Sequence, residues 1–302
     1  MLSLVLPAYN EEENIRYAYE KISYILQKNQ IPFEFIFIND GSSDGTWNEI
    51  ETIARKDMRV HGIKFSRNFG KEAAIMAGLK AVSGDCCVVM DCDLQHPPET
   101  IISMYKYWEQ GAEIVEGVKE DRGKEKIFYA IAAKIFNTLI SRLTNVKLQN
   151  ASDFKLMDKK VVRKICQFPE KEMFFRAIST WVGYKTIQVE FKVQERKIGV
   201  SKWSLKSLVK YAITNITSFS SFPIYLVLIL GIVYLGISFA MCGVILKCFI
   251  VNQLVNKDNL IICLMFMIGG TVLVGIGIIG YYIAKILKQV QNRPRYIISE
   301  KI

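Results

Sequence analysis

The sequence predicts an α/β domain built on a mostly parallel, Rossmann-like sheet, followed by a hairpin of two transmembrane helices. Three observations predict it. Short apolar runs alternate with helical stretches over the first 118 residues, the succession that produces βαβ units. Several of those runs end in acidic, Asn- and Gly-containing loops, and ligands of open α/β sheets bind beyond the carboxyl ends of the strands. Further on, Ile224–Leu246 has 23 residues without a charge and Leu260–Ala284 has 25. About 20 apolar residues suffice to span hydrocarbon as a helix.

Taken in order, Leu2–Leu6 reads as a strand and Glu12–Lys28 as a polar helix. Phe33–Ile38 is a strand ending at Asn39-Asp40, with a helix near Thr46–Lys56. Val60–Phe65 and a helix near Lys71–Val82 follow. Next come the apolar run from Cys86, a helix near Pro98–Glu109 and a strand at Glu113–Val118. Two later stretches are amphipathic. Lys124–Leu143 carries Phe128, Ile131, Ile135, Leu139 and Leu143 at near-helical spacing, which serves core packing as readily as a surface stripe. Ser204–Phe222 runs straight into the first uncharged run and reads as a helix lying on a membrane surface.

The 302 residues carry a net charge of +10, placed unevenly. Met1–Glu195 holds 27 basic and 27 acidic residues, whereas Arg196–Ile302 holds 12 and 2. Excess charge beside long apolar runs points to anionic lipid rather than nucleic acid. Lys202, Lys206 and Lys210 precede the first run, and Lys285, Lys288, Arg293 and Arg295 follow the second. The positive-inside rule then puts both chain ends and the N-terminal domain in the cytoplasm, with the plasma (inner) membrane as the expected location. The expected organisation is an α/β domain over 1–200, a juxtamembrane helix over 201–223, spans at 224–250 and 260–286, and a cytoplasmic tail over 287–302. No signal peptide is visible, because the apolar start is short and meets Asn10-Glu11-Glu12-Glu13. The seven cysteines lack metal-type spacing with the two histidines, so reduced, packing thiols are expected.

Three motifs mislead. Gly275-Ile-Gly277-Ile-Ile-Gly280 matches a dinucleotide fingerprint but lies inside a predicted span with no preceding strand. Its glycines, with Gly269 and Gly270, instead permit close helix packing, within one chain or in a homo-oligomer. Asp40–Glu51 nearly fits a calcium loop but follows a strand and has Ser42 at its third position. The sequons at Asn150 and Asn215 fall on segments placed in the cytoplasm and should be silent.

The chemistry concentrates at Asp91-Cys92-Asp93-Leu94-Gln95. Two carboxylates emerge together where an apolar strand ends. Such hard oxygen ligands suit Mg²⁺ or Mn²⁺, ions that usually bind with substrate phosphates as co-ligands. An isolated Asp-x-Asp is more often a solvated turn. Here Pro7-Ala8-Tyr9-Asn10-Glu11, Asn39–Thr46 and Ser66–Lys71 end neighbouring strands, so four polar clusters converge on one sheet edge. Asp40 can accept the N–H of a nucleobase, Glu11 or Asp91 the hydroxyls of a ribose, and Asp93 can hold a cation for a diphosphate.

Leu-Pro-Ala-Tyr-Asn-Glu-Glu-Glu-Asn-Ile, Asn-Asp-Gly-Ser-Ser-Asp-Gly-Thr and Asp-Cys-Asp-Leu-Gln-His-Pro-Pro-Glu together resemble glycosyltransferase family 2, with its GT-A fold. The layout resembles the polyisoprenyl-phosphate glycosyltransferases, especially bactoprenol glucosyltransferases, over essentially the whole chain. The resemblance implies inverting transfer of a hexose, foremost glucose from UDP-glucose, to undecaprenyl phosphate. It implies nucleotide-sugar contacts at Pro7, Tyr9, Asn10, Glu11, Asp40 and Lys71, and also at Asp91, Asp93 and Gln95. Asp91 and Asp93 would be metal ligands, and Asp153, Asp93 and Arg196 catalytic residues. Arg122, Arg196, Ser201 and Lys202 would meet the acceptor phosphate, with Lys71 or Arg122 helping at the leaving diphosphate. The family more often shows Gly-Asp-Phe-Arg where this chain has Ser152-Asp153-Phe154-Lys155. A phosphate monoester, with a second pKa of about 6, is already largely dianionic at neutral pH. Asp153 is therefore expected to position acceptor or metal rather than abstract a proton. A GDP-mannose donor, another UDP-sugar such as N-acetylglucosamine, and a non-catalytic membrane-anchored nucleotide-sugar sensor are the competing readings. A processive polysaccharide synthase would need more spans and a Gln-x-x-Arg-Trp motif, and neither is present.

Overall fold

The computed structural model describes residues 1–120, 152–170, 174–192 and 257–302. The chain divides into two compact units, Met1–Ala212 with Pro294–Ile302, and Ile213–Arg293. In the first unit the described strands are β1 (Leu2–Ala8), β2 (Phe33–Asn39), β3 (Val60–Phe65), β4 (Cys86–Val89), β5 (Ile114–Lys119), β6 (Lys155–Asp158), β7 (Thr186–Phe191) and β8 (Ile298–Lys301). The helices are α1 (Glu12–Lys28), α2 (Thr46–Ala54), α3 (Lys71–Ala81), α4 (Glu99–Glu109), α5 (Lys159–Cys166) and α6 (Phe175–Trp181).

The strands form one sheet in the order β7-β5-β6-β4-β1-β2-β3-β8. Its centre, β4-β1-β2-β3, is parallel throughout, and β1 and β2 are buried along nearly their whole length. Such two-sided burial explains their continuous apolar composition. Leu2, Leu4 and Leu6 of β1 and Phe33, Phe35 and Phe37 of β2 join Ile15, Ile22 and Ile50 from α1 and α2 in one core, as alternation along a strand requires. On the opposite face α3 lies so close that a Cβ on Gly78 would collide with Val5. Glycine there permits the approach.

Sequence reading expected a mostly parallel sheet, and beyond β4 the sheet is mixed. There β6 runs antiparallel between β4 and β5, pairing Val89 with Lys155 and Glu116 with Lys155. A four-residue strand, Lys-Leu-Met-Asp, carries almost no periodic signal. Its consequence is geometric. Because the register opposes Lys155 to the end of β4, the residues just before β6 emerge at the same edge as those just after β4.

In the second unit, α7 (Lys257–Val290) is a continuous helix of 34 residues. It contains the uncharged stretch Leu260–Ala284. Among the described residues, no helix is long and apolar enough to cross a membrane. The first predicted span, most of the link, and the amphipathic stretches 124–143 and 204–222 lie outside the described residues. The hairpin is therefore not shown by the structure.

Candidate active site

The polar loops at the carboxyl ends of β1 and β2 are sewn together before any ligand is considered. The backbone N–H of Asn10 donates to Ser42 Oγ at 2.9 Å, and Asn10 Oδ1 accepts from Ser43 N at 2.9 Å. Glu11 N donates to Thr46 Oγ1 at 2.9 Å, and Glu12 accepts from Gly45 N at 2.9 Å. Asn10 takes φ +54°, a left-handed conformation that Asn tolerates better than most residues. Tyr9, 41% exposed, faces solvent beside it. Pro7 is tied to the acidic loop through Cys92 Sγ, 3.6 Å from its carbonyl.

Asp40 is buried and accepts from Phe69 N at 2.7 Å and Gly70 N at 2.9 Å. Burial raises its pKa against the lowering effect of those two amides. Asp40 thus fixes the loop Ser66–Gly70 in addition to any contact with a base. Gly41, at φ +62°, lies where a Cβ would collide with the Arg67 backbone, so only glycine fits.

The centre of the edge is an ion-pair chain. Lys71 Nζ, at the start of α3, lies 2.7 Å from Asp91 Oδ1 and 3.0 Å from Asp153 Oδ2. Arg176, in the first turn of α6, reaches Asp153 with both Nε (3.2 Å) and Nη2 (3.1 Å). Burial opposes the charge of Asp153, but Lys71 and Arg176 outweigh it and hold the carboxyl well below the ordinary range. Burial likewise opposes ionisation of Asp91, and Lys71 overcomes it. Lys71 itself is raised: desolvation works against its charge, and Asp91 and Asp153 more than compensate. Glu72 accepts from Phe175 N at 2.8 Å, joining α3 to α6. Burial, then the charge of Asp153, push its pKa up.

Behind Asp153 the structure accounts for the two departures from the family pattern. Ser152 Oγ donates to the Gly117 carbonyl at 2.5 Å. Lys155, only 1% exposed, pairs with Glu116 at 3.0 Å and donates to Ser179 Oγ at 2.8 Å. His96 stacks on Phe154 with centroids 4.8 Å apart, which ties the acidic loop to the segment that carries Asp153 into β6.

Asp91, Asp93 and Gln95 follow β4 directly, and Asp93 Oδ1 accepts from Gln95 N at 3.2 Å. Among the described residues no group of three acidic, His or Cys side chains gathers as a metal site. The donor set still fits a hard divalent cation: carboxylate oxygens of Asp91 and Asp93 just past a strand end, with Asp91's side chain one-third exposed. Mg²⁺ and Mn²⁺ are commonly held by only one or two carboxylates plus substrate phosphates.

Of the sequence-predicted site residues, Pro7, Tyr9, Asn10, Glu11, Asp40, Lys71, Asp91, Asp93, Gln95 and Asp153 all lie in segments at the carboxyl edge of the parallel strands or facing it from β6 and α3. Arg122, Arg196, Ser201 and Lys202 lie outside the described residues. Sequence reasoning missed Arg176, Glu72 and the Lys155–Glu116 pair. Arg176 sits in Phe174-Phe-Arg-Ala, which carries no motif, and only the antiparallel β6 reveals its partner.

The family model described as "Glycosyl transferase family 2" matches residues 3–166. The chain is 37% identical over 302 residues to the SfII prophage-derived bactoprenol glucosyl transferase of Shigella flexneri, covering 99% of this chain and 97% of that protein. It is 36% identical over 301 residues to the uncharacterized glycosyltransferase YkcC of Bacillus subtilis (strain 168), covering 99% and 93%. Among solved structures, glucosyl-3-phosphoglycerate synthase from Mycobacterium tuberculosis, in complex with Mn²⁺, UDP and glucosyl-3-phosphoglycerate, superposes with TM-score 0.53 at 19% identity, covering 72% of this chain and 80% of that one. The mixed sheet with its acidic edge is a GT-A-like glycosyltransferase fold. The chain belongs to glycosyl transferase family 2.

Proposed function

We propose that this enzyme transfers a hexose, foremost glucose from UDP-glucose, to undecaprenyl phosphate with inversion, at the cytoplasmic face of a membrane. The observation that carries the reading is the double ion pair on Asp153. A general base works best with a pKa near the working pH. A carboxylate clamped by Lys71 and Arg176 and held well below the ordinary range is a poor proton acceptor. It can serve an acceptor that needs no deprotonation, and a phosphate monoester is one. The names of relatives that match 99% of the chain support the lipid phosphate.

In the reaction an acceptor phosphate oxygen forms a bond to the anomeric carbon as the bond to the diphosphate breaks, its electron pair leaving with the nucleotide. Asp91 and Asp93 would hold a divalent cation, which when bound offsets charge on the leaving diphosphate. Asp40 and the Asn10–Ser43 link keep the donor loops fixed in advance, which lowers the entropy of productive binding. Lys71 is placed to follow negative charge from Asp91 toward the departing phosphates. Arg196 and Lys202 would offset repulsion between acceptor and donor phosphates.

The anchor is part of the same reading: the uncharged runs 224–246 and 260–284 form a membrane hairpin with both ends inside. The basic residues that flank them support it.

A donor screen tests the proposal. Membranes carrying the full-length chain are given UDP-glucose, UDP-N-acetylglucosamine or GDP-mannose with undecaprenyl phosphate and Mg²⁺ or Mn²⁺, and lipid products are weighed by mass spectrometry. A hexosyl-phospholipid from UDP-glucose is expected, abolished by chelator and by Asp91→Ala with Asp93→Ala. Product from GDP-mannose alone would replace the donor assignment. Nucleotide binding without any glycolipid would identify a sensor and end the enzymatic reading.

A further inference from the structure

The segment Pro294–Ile302 belongs to the same compact unit as the sheet, although all of Ile213–Arg293 intervenes. Its strand β8 pairs antiparallel with β3, Ile63 opposite Lys301 and Phe65 opposite Ile298. The pairing is reinforced along its length. Ile302 and Gly62 exchange both backbone hydrogen bonds at 3.0 Å, and Ser66 N donates to the Ile297 carbonyl at 3.0 Å. Trp47 Nε1 donates to Glu300 at 2.9 Å, and Lys64 pairs with the same carboxylate at 2.5 Å. A side chain at Gly62 would press on Ile302.

The tail also contributes a ring. Tyr296 stacks on Phe65 with centroids 4.8 Å apart and planes 12° apart. Phe65, the last residue of β3, meets Phe69 edge-on at 5.7 Å. Phe69 carries one of the two amides that bind Asp40, Gly70 carries the other, and Lys71 follows at once. A contiguous line of contacts therefore runs from the tail to the acidic edge: Tyr296, Phe65, Phe69, then Asp40 and Lys71.

We propose that the C-terminal strand is a positioning element of the donor site, with Tyr296 its principal positioning residue. The tail that follows the predicted second membrane span braces the loop Ser66–Gly70, and through it the residues that would receive a nucleoside diphosphate sugar. Loss of a stacked aromatic pair beyond its buried area is enough to change the opening of one loop severalfold without threatening a core of this size. The inference rests on the reading of this edge as a donor site, and its test includes an arm that needs no turnover.

The test compares Tyr296→Ala and Tyr296→Phe in the full-length chain. Hydrogen exchange is followed at the amides of Phe69 and Gly70. Donor and acceptor KM and kcat are measured in the glycolipid assay. In Tyr296→Ala those two amides should exchange severalfold faster, while amides of β1 keep their protection. Donor KM should rise severalfold with kcat and acceptor KM little changed. Tyr296→Phe, which keeps the ring, should restore both. If Tyr296→Ala also unprotects β1, Tyr296→Leu keeps apolar volume without the stack and must show the same acceleration confined to the loop. Loop exchange unaltered by loss of the ring would overturn the proposal, whatever the assay shows. Should no variant and no native protein make glycolipid, the transfer reading fails and the exchange result still decides this one.

Discussion

At Asp153 one carboxylate meets two cations, Lys71 at 3.0 Å and Arg176 at 3.1 Å. Its folded pKa lies below the ordinary 3.8. The stabilisation it brings is therefore complete above that value and is lost only as acid takes the pH down through the folded one. Across the working range Asp153 stays ionised. Asp153→Asn should lower kcat by about 10²-fold, the cost of misplaced reactants. The acid limb of the pH–rate profile should stay near pH 6, where the acceptor phosphate titrates. Loss of that limb in the variant would make Asp153 a base after all. Asp40 gives a second residue-scale expectation. Both of its oxygens accept loop amides, so Asp40→Asn would turn an NH₂ against one of them. An unmade buried hydrogen bond of this kind costs about 1–3 kcal/mol, which should appear as a lower Tm and a raised donor KM.

Among the elements, β6 does the most with the fewest residues. The β1–α4 succession was legible because long apolar strands and periodic helices announce themselves: α1 and β3 have the expected bounds, and the others differ by a residue or two. β6 was not legible, since four residues with a lysine and an aspartate at the ends have no period to read. Burial explains the lysine. Lys155 sits among Glu116 and Ser179 with 1% exposure, and desolvation lowers its pKa despite the carboxylate beside it. Lys155→Met removes one charge of a buried pair and strands the other, a change that typically costs about 3–5 kcal/mol. Thermal unfolding should show it as a large fall in Tm, and adding Glu116→Gln should return much of the loss. If the single variant melts like the native protein, the pair is not the anchor of β6.

At the scale of the whole molecule, charge and compact unit do not share a boundary: Met1–Glu195 is neutral, and the excess of 10 positive charges lies in Arg196–Ile302, a stretch that both units share. On the proposed topology, in which both ends of a membrane hairpin lie inside, a thiol-labelling scan should find a cysteine placed at Ser299 protected from an impermeant reagent in intact cells and reactive after lysis. Labelling from outside would reverse the topology. The acidic loops were readable because each contains its own chemistry in a few consecutive residues. The clamp on Asp153 was not, because it joins Lys71, Asp153 and Arg176 from three distant stretches of chain, and only the backward-running strand reveals that they meet. That strand has a consequence for how such enzymes diversify. β5 ends at Lys119 and β6 begins at Lys155 beside it, so the chain from 120 to 154 leaves and re-enters at one place. Closure entropy grows slowly with length, so chain can be added or removed between these two strands, ahead of Ser152, with little strain on the sheet. The register that seats Asp153 opposite the end of β4 is then inherited unchanged.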